Sequence, residues 1–156
     1  MRFSSILVPA SAIALSSLAF AQAPPDYGMP ISGQQAKTAA AAAVAVMRSN
    51  DWRMAVAVVD PGGNLVYFEK VDATQHASIE IAMQKAKSAA AFKRPTKVFG
   101  DGITNNPGLG TLPGVVASEG GVPIIVDGKL IGAIGCSGGT GQQDGVACTA
   151  GAAAIK

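Results

Sequence analysis

GVPIIVDGKLIGAIGCSGGTGQQD, residues 121–144, is the stretch whose reading decides the fold. Val122–Val126 and Leu130–Gly135 are apolar, strand-forming runs. Asp127-Gly128 joins them, and this dipeptide favours a type I′ hairpin turn because both of its central positions need positive φ. The second run dissolves into Ser137-Gly138-Gly139, after which Thr140 and Gln143 stand at the spacing of a capping box. A hairpin therefore feeds a glycine loop, and the loop feeds a helix start. Exposed N–H groups at such a start are either turn chemistry or a cradle for an anionic group.

Working outward, Thr140 to Lys156 reads as a closing helix of small residues. Upstream, Val115–Glu119 is expected to be a short strand, and Asn105–Gly114 a long loop rich in proline and glycine. Asp72 and Gln75 have the spacing of a helix start. Ile79, Met83, Ala86 and Ala90 follow at helical intervals, with Ala82 and Ala89 on the same stripe and Glu80, Gln84 and Lys87 on the polar side. Pro95 ends that helix, and Thr96–Gly102 adds a further helical turn. Before it, Met54–Asp60 and Leu65–Lys70 form a first hairpin around Pro61-Gly62-Gly63-Asn64. Ser32 and Gln35 cap an alanine-rich helix running to Met47, its valines and Met47 facing the core. The order is helix, hairpin, helix, loop, strands, helix. Hairpins imply antiparallel pairing, so the fold class is α+β, a single domain with an antiparallel sheet of about five strands flanked by helices.

The first residues stand apart. Arg2 precedes an apolar run from Ile6 to Phe20, and Ala19-Phe20-Ala21 fits a small-x-small cleavage site. Residues 1–21 read as a secretory signal peptide cut after Ala21, residues 22–31 as an extended leader, and residues 32–156 as the domain. The apolar run is short and broken by Pro9, Ser11, Ser16 and Ser17, so no stable membrane span is expected after cleavage. The expected location is periplasmic or secreted. The formal charge of +2 falls by one when Arg2 is removed, which leaves no clustered Lys/Arg footprint for nucleic acid. Cys136 and Cys148 are either a disulfide, as an oxidising compartment permits, or two small buried thiols. No G-x-S-x-G elbow and no G-x-x-x-x-G-K-[ST] phosphate loop occurs.

Three blocks carry a family resemblance: MAVAVVDPGGNLVYFEKVDATQHAS (54–78), IEIAMQKAKSAAAFKRPT (79–96) and GGVPIIVDGKLIGAIGCSGGTGQQDG (120–145). In order and spacing they resemble the GlcG/HbpS family of haem-binding or haem-degrading domains, also found at the C-terminus of PduO-type proteins. The resemblance implies a profilin/PAS-like fold and a homo-oligomer built from dimers. It implies haem binding in some members, with slow haem breakdown and redox sensing beside a partner kinase in some extracellular ones. GlcG-type members have no settled activity.

The resemblance also points to candidate residues. His76, the sole histidine, would serve as an axial ligand to haem iron and is the only metal-ligating candidate. Glu80, one turn on, would orient the ring's second nitrogen. Where family members often carry Asp-Gly-Ala, this chain has Asp72-Ala73-Thr74, which puts the local turn in question. A threonine contacts haem in the family, and Thr111 in the long loop is the candidate for that role. Lys85, Lys93 and Arg94 would pair with haem propionates or another carboxylate, whereas Met83 reads as core. The leading expectation is an exported haem-binding protein that buffers or senses haem, more a binder than an enzyme. The competing expectations are an accessory protein or small enzyme for a glycolate-like carboxylate, with Gly138–Gln143 and Lys85 or Arg94 as its anion site, and a structural assembly domain.

Overall fold

The computed structural model describes residues 23–156. The expected signal peptide, residues 1–21, lies outside them. The elements run β1 (Asp26–Tyr27), α1 (Gly33–Ser49), β2 (Ala55–Val59), β3 (Leu65–Lys70), α2 (Ala77–Phe92), α3 (Lys97–Gly102), a 3₁₀ turn (Pro107–Thr111), β4 (Gly121–Val126), β5 (Lys129–Ser137) and α4 (Gly141–Ala153).

The sheet is assembled on β5. β4 lies antiparallel along one side of it, from Gly121 opposite Gly135 to Val126 opposite Lys129. Asp127 (φ 50°) and Gly128 (φ 73°) turn the hairpin with the two positive φ values that the type I′ geometry requires. β2 lies antiparallel on the other side, Ala55 opposite Ser137, and β3 pairs outside β2. β1 pairs parallel with Lys129 and Leu130, so it extends the sheet past the end of β2. The sheet is thus five-stranded and mixed, the parallel pairing being confined to two residues.

The fifth strand is not the expected one. Val115–Glu119 has no strand partner; β1, within the leader, takes that place. Backbone groups of the 115–119 segment are satisfied by side chains instead. Val116 N donates to Ser88 Oγ (3.1 Å), Thr96 Oγ1 donates to the Ser118 carbonyl (2.7 Å), and Lys85 Nζ donates to the Glu119 carbonyl (2.6 Å). With those bonds made by α2 and Thr96, the segment has no need of a ladder.

Helices cover both faces, which explains why all five residues of β2 are buried. α1 and α4 pack on one face, where Val56, Val58, Ile124, Ile134 and Cys136 meet Ala36, Ala40, Ala43, Met47 and Ala147. Here Cys136 of β5 and Cys148 of α4 are joined in a disulfide, which resolves the open alternative for these two residues. α2 covers the other face through alanines: Ala82 over Ala55 and Ala57, and Ala86, Ala89 and Ala90 over Val59 and Ala133. Its approach is close enough that a Cβ on Gly135 would strike the Ala82 carbonyl and the Ala86 amide. Small side chains on both partners set that separation.

The capping boxes of α1 (Ser32 with Gln35) and α4 (Thr140 with Gln143) are formed as the spacings require. α2 differs. It starts at Ala77 rather than near Asp72, because Ala73 turns the chain through the left-handed region (φ 60°) and Thr74 Oγ1 donates back to the Val71 carbonyl (2.6 Å). Ala73 therefore supplies the conformation that a glycine would adopt without strain.

Candidate functional site

α2 carries most of the candidate residues, and its 16 residues span about 24 Å. His76 occupies the N-cap position in a helical conformation (φ −62°, ψ −38°) and makes no side-chain cap bond. The residue is exposed, and its imidazole makes no hydrogen bond among the described residues. Glu80 does not hold the ring: its Oε1 accepts from Gln84 Nε2 at 2.6 Å. From His76, the same side of the helix continues through half-buried Ile79 and Met83. Met83 and Phe68 of β3 border the Ala55–Ala57–Ala82 cluster. An unpartnered imidazole thus stands at the head of a partly exposed apolar stripe.

Behind His76, Ser78 is fully buried. Its Oγ lies 3.4 Å from Ser137 Oγ and accepts from Gln75 Nε2 at 3.1 Å. Ser137 closes β5 immediately before the loop that starts α4, so the starts of α2 and α4 are neighbours. A Cβ on Gly138 would collide with the Arg53 carbonyl, and its φ of 142° also lies in a region that side chains avoid.

The Gly138–Gln143 loop does not offer its donors to an outside anion. Asp144 fills the position: its Oδ1 accepts from Gly139 N at 3.0 Å and its Oδ2 from Lys85 Nζ at 2.7 Å. The Lys85 and Asp144 side chains are only 2% and 4% exposed. Burial pushes the Asp144 carboxyl above its usual range, against the opposing pull of the Lys85 ammonium and the Gly139 and Gly138 amides. Lys85 was expected to be available to a propionate or small carboxylate. In the structure it is an internal tie joining α2, the loop before β4 and the start of α4, and the anion site built from it and Gly138–Gln143 is already occupied by the chain's own carboxylate.

The remaining candidates lie elsewhere. Arg94 is exposed past the far end of α2, where its Nε donates to the Phe92 carbonyl at 3.2 Å. Thr111 is exposed in the 3₁₀ turn, and its hydroxyl donates to the Gly108 carbonyl at 2.9 Å. The structure therefore keeps His76 and Glu80 together and separates them from Lys85, Arg94 and Thr111. Ser78, Ser88, Thr96 and Asp144 are buried polar residues that the sequence reading passed over. A signal existed for some of them. Ser78, Ala82, Lys85 and Ala89 recur at helical intervals, so Ser78 and Lys85 lie on the buried stripe itself.

Residues 31–153 match the family model described as haem degrading protein HbpS-like. The chain belongs to the HbpS-like family. GlcG of Escherichia coli K12 is 36% identical to it over 108 residues, 69% of this chain and 81% of GlcG. A double mutant of Streptomyces reticuli HbpS superposes with a TM-score of 0.77 at 27% identity, covering 96% of this chain and 99% of that one. A PduOC structure in complex with haem gives a TM-score of 0.74 at 27% identity, covering 82% of this chain and 96% of that one. Among the described residues no helix is long and apolar enough to cross a membrane, and no group of three or more His, Cys, Asp or Glu could hold a metal ion.

Proposed function

We propose that this HbpS-like chain is an exported haem-binding protein that buffers or senses haem, with at most slow degradation. The observation that carries the reading is His76: an exposed imidazole with no internal partner, heading an apolar stripe, in a chain whose described residues include no group of three or more His, Cys, Asp or Glu that could hold a metal ion. A metal held there must bring most of its own ligands, as the iron of a porphyrin does. Bound haem would supply the redox-active iron, and the polypeptide would hold it through the His76 imidazole and an apolar flank. Ile79, Met83 and Phe68, partly exposed on the same side, would flank the macrocycle. The PduOC–haem complex supports the reading at the level of the fold. For Glu80 to orient the imidazole, it must exchange its present partner Gln84.

Titration of the purified protein with hemin tests the proposal. A Soret shift saturating at one haem per chain is expected, together with a changed spectrum in His76→Ala. No shift in the unaltered protein would refute haem binding, while an identical spectrum in His76→Ala would remove His76 as ligand.

Export and assembly belong to the same proposal. The leader pattern around Ala21 and the Cys136–Cys148 disulfide together favour an oxidising compartment. Cell fractionation with mass analysis should find a chain beginning at Gln22 outside the cytoplasm. Because His76 is exposed in a single protomer, a second copy is the natural cover for a bound macrocycle. Light scattering should report a homo-oligomer, and a strictly monomeric haem-loaded protein would refute that part.

A further inference from the structure

A cavity lies at the opposite end of α2 from His76. It has a volume of about 670 Å³ and is walled by Ala23, Pro24, Pro25, Val98 and Ile125, with Lys93 and Arg94 at its edge. Val98 and Ile125 are 47% and 46% exposed, so the cavity presents apolar surface to solvent. Its two cations have no carboxylate partner among the described residues. Two adjacent unpaired cations on the edge of an apolar hollow are complementary to one kind of molecule, an anion carrying an apolar body.

The backbone holds this arrangement in place. Lys93 ends α2 in the left-handed region (φ 54°), a conformation better suited to glycine or asparagine. Its ammonium is thereby set 4.0 Å from the centre of the Tyr27 ring. The Tyr27 hydroxyl in turn lies 3.4 Å from the Ala90 and Ala91 carbonyls at the end of α2. β1 is therefore latched to α2 at the point where the leader forms the cavity wall. The Arg94 guanidinium spends only its Nε on the Phe92 carbonyl, which leaves its paired terminal nitrogens for a bidentate contact.

We infer that this cavity binds an amphipathic organic carboxylate, the carboxylate held by Arg94 and Lys93 and the apolar body laid against Pro24, Pro25, Val98 and Ile125. The site is distinct from the proposed haem position, since the two stand at opposite ends of a helix about 24 Å long.

Amide NMR spectra of the protein, recorded during titration with octanoate and separately with octanol, test the inference. Octanoate should move the amides of Lys93, Arg94, Val98, Ile125 and Gly128 saturably below ~10 mM, and octanol should bind about tenfold more weakly or worse. The double variant Lys93→Gln/Arg94→Gln should lose about tenfold in octanoate affinity while its other amide positions stay in place. His76→Ala should bind octanoate unchanged, so a failure of the haem reading leaves this test intact. No saturable shift, equal binding of octanol, or undiminished binding by the double variant would each overturn the inference.

Discussion

Replacing Lys85 with methionine removes the one ammonium buried in the described part of the molecule. Lys85 and Asp144 are 2% and 4% exposed and 2.7 Å apart, with Nζ also bonded to the Glu119 carbonyl at 2.6 Å. Methionine fills most of the space of the lysine stem, so the packing loss is small. The electrostatic loss is not small, because Asp144 keeps only backbone amides and the Glu119 carbonyl loses its donor. Deleting one member of a buried pair costs about 3–5 kcal/mol, and an orphaned buried carbonyl about 1–3 kcal/mol. These overlap, so Lys85→Met should lose about 4 kcal/mol at neutral pH, a large part of a typical domain's stability.

The pH dependence carries a definite sign. The folded Asp144 carboxyl titrates above its ordinary value of 3.8. Between that value and its folded value the folded chain binds more protons than the unfolded chain. Its contribution is therefore complete below 3.8 and lost as pH rises through the folded value. Removing Lys85 takes away a group that opposed this shift and so enlarges it. The deficit of Lys85→Met should then be widest at neutral pH and shrink on acidification towards about pH 4. Urea denaturation at several pH values measures both the deficit and its slope. Lys85→Met/Asp144→Leu should recover most of the loss and keeps the test alive if the single variant fails to fold. A deficit below about 1 kcal/mol at pH 7, or one that does not shrink with acid, would refute the buried tie.

Three further outcomes are expected. Gly135→Ala should cost about 3 kcal/mol or more in urea denaturation, because both obstacles to its Cβ are backbone atoms of α2; a loss under about 1 kcal/mol would mean that α2 can move away. Ala73→Gly should raise the melting temperature. The left-handed alanine costs about 1–2 kcal/mol, and glycine's greater freedom in the unfolded chain takes back about 0.5–1 kcal/mol; a lower melting temperature would contradict the positive φ. Cys136→Ala/Cys148→Ala should lose about 3 kcal/mol, as expected for a bridge between residues 12 apart. Both cysteines are fully buried, so thiol reagents should act on the native disulfide no faster than the chain opens.

Features that depend on a few adjacent residues were legible in the sequence. Ser32 with Gln35, Thr140 with Gln143, and the Asp127-Gly128 turn each need only partners within three positions. Val115–Glu119 misled because strand-forming composition does not say what will satisfy the backbone; Ser88, Thr96 and Lys85 do so from a distance. Asp72 and Gln75 misled because a cap spacing cannot reveal that Ala73 adopts a left-handed turn before the helix begins. The candidate site was legible only in part. His76 stood out as the sole histidine, but nothing local indicated that Lys85 would be spent on an aspartate 59 residues away.

The sequence by itself determined the capping boxes of α1 and α4, both hairpins and the family, because these follow from short-range hydrogen bonding and from motif order. Tertiary structure alone decided that Cys136 meets Cys148, that β1 joins the sheet beside β5, and that Asp144 closes the glycine loop that opens α4. It also placed His76 and Arg94 at opposite ends of one helix. These outcomes depend on which distant groups must leave water together, and on the close approach that the glycines and alanines of β5 and α2 permit. Volume and desolvation are properties of the packed molecule, and no window of sequence contains them.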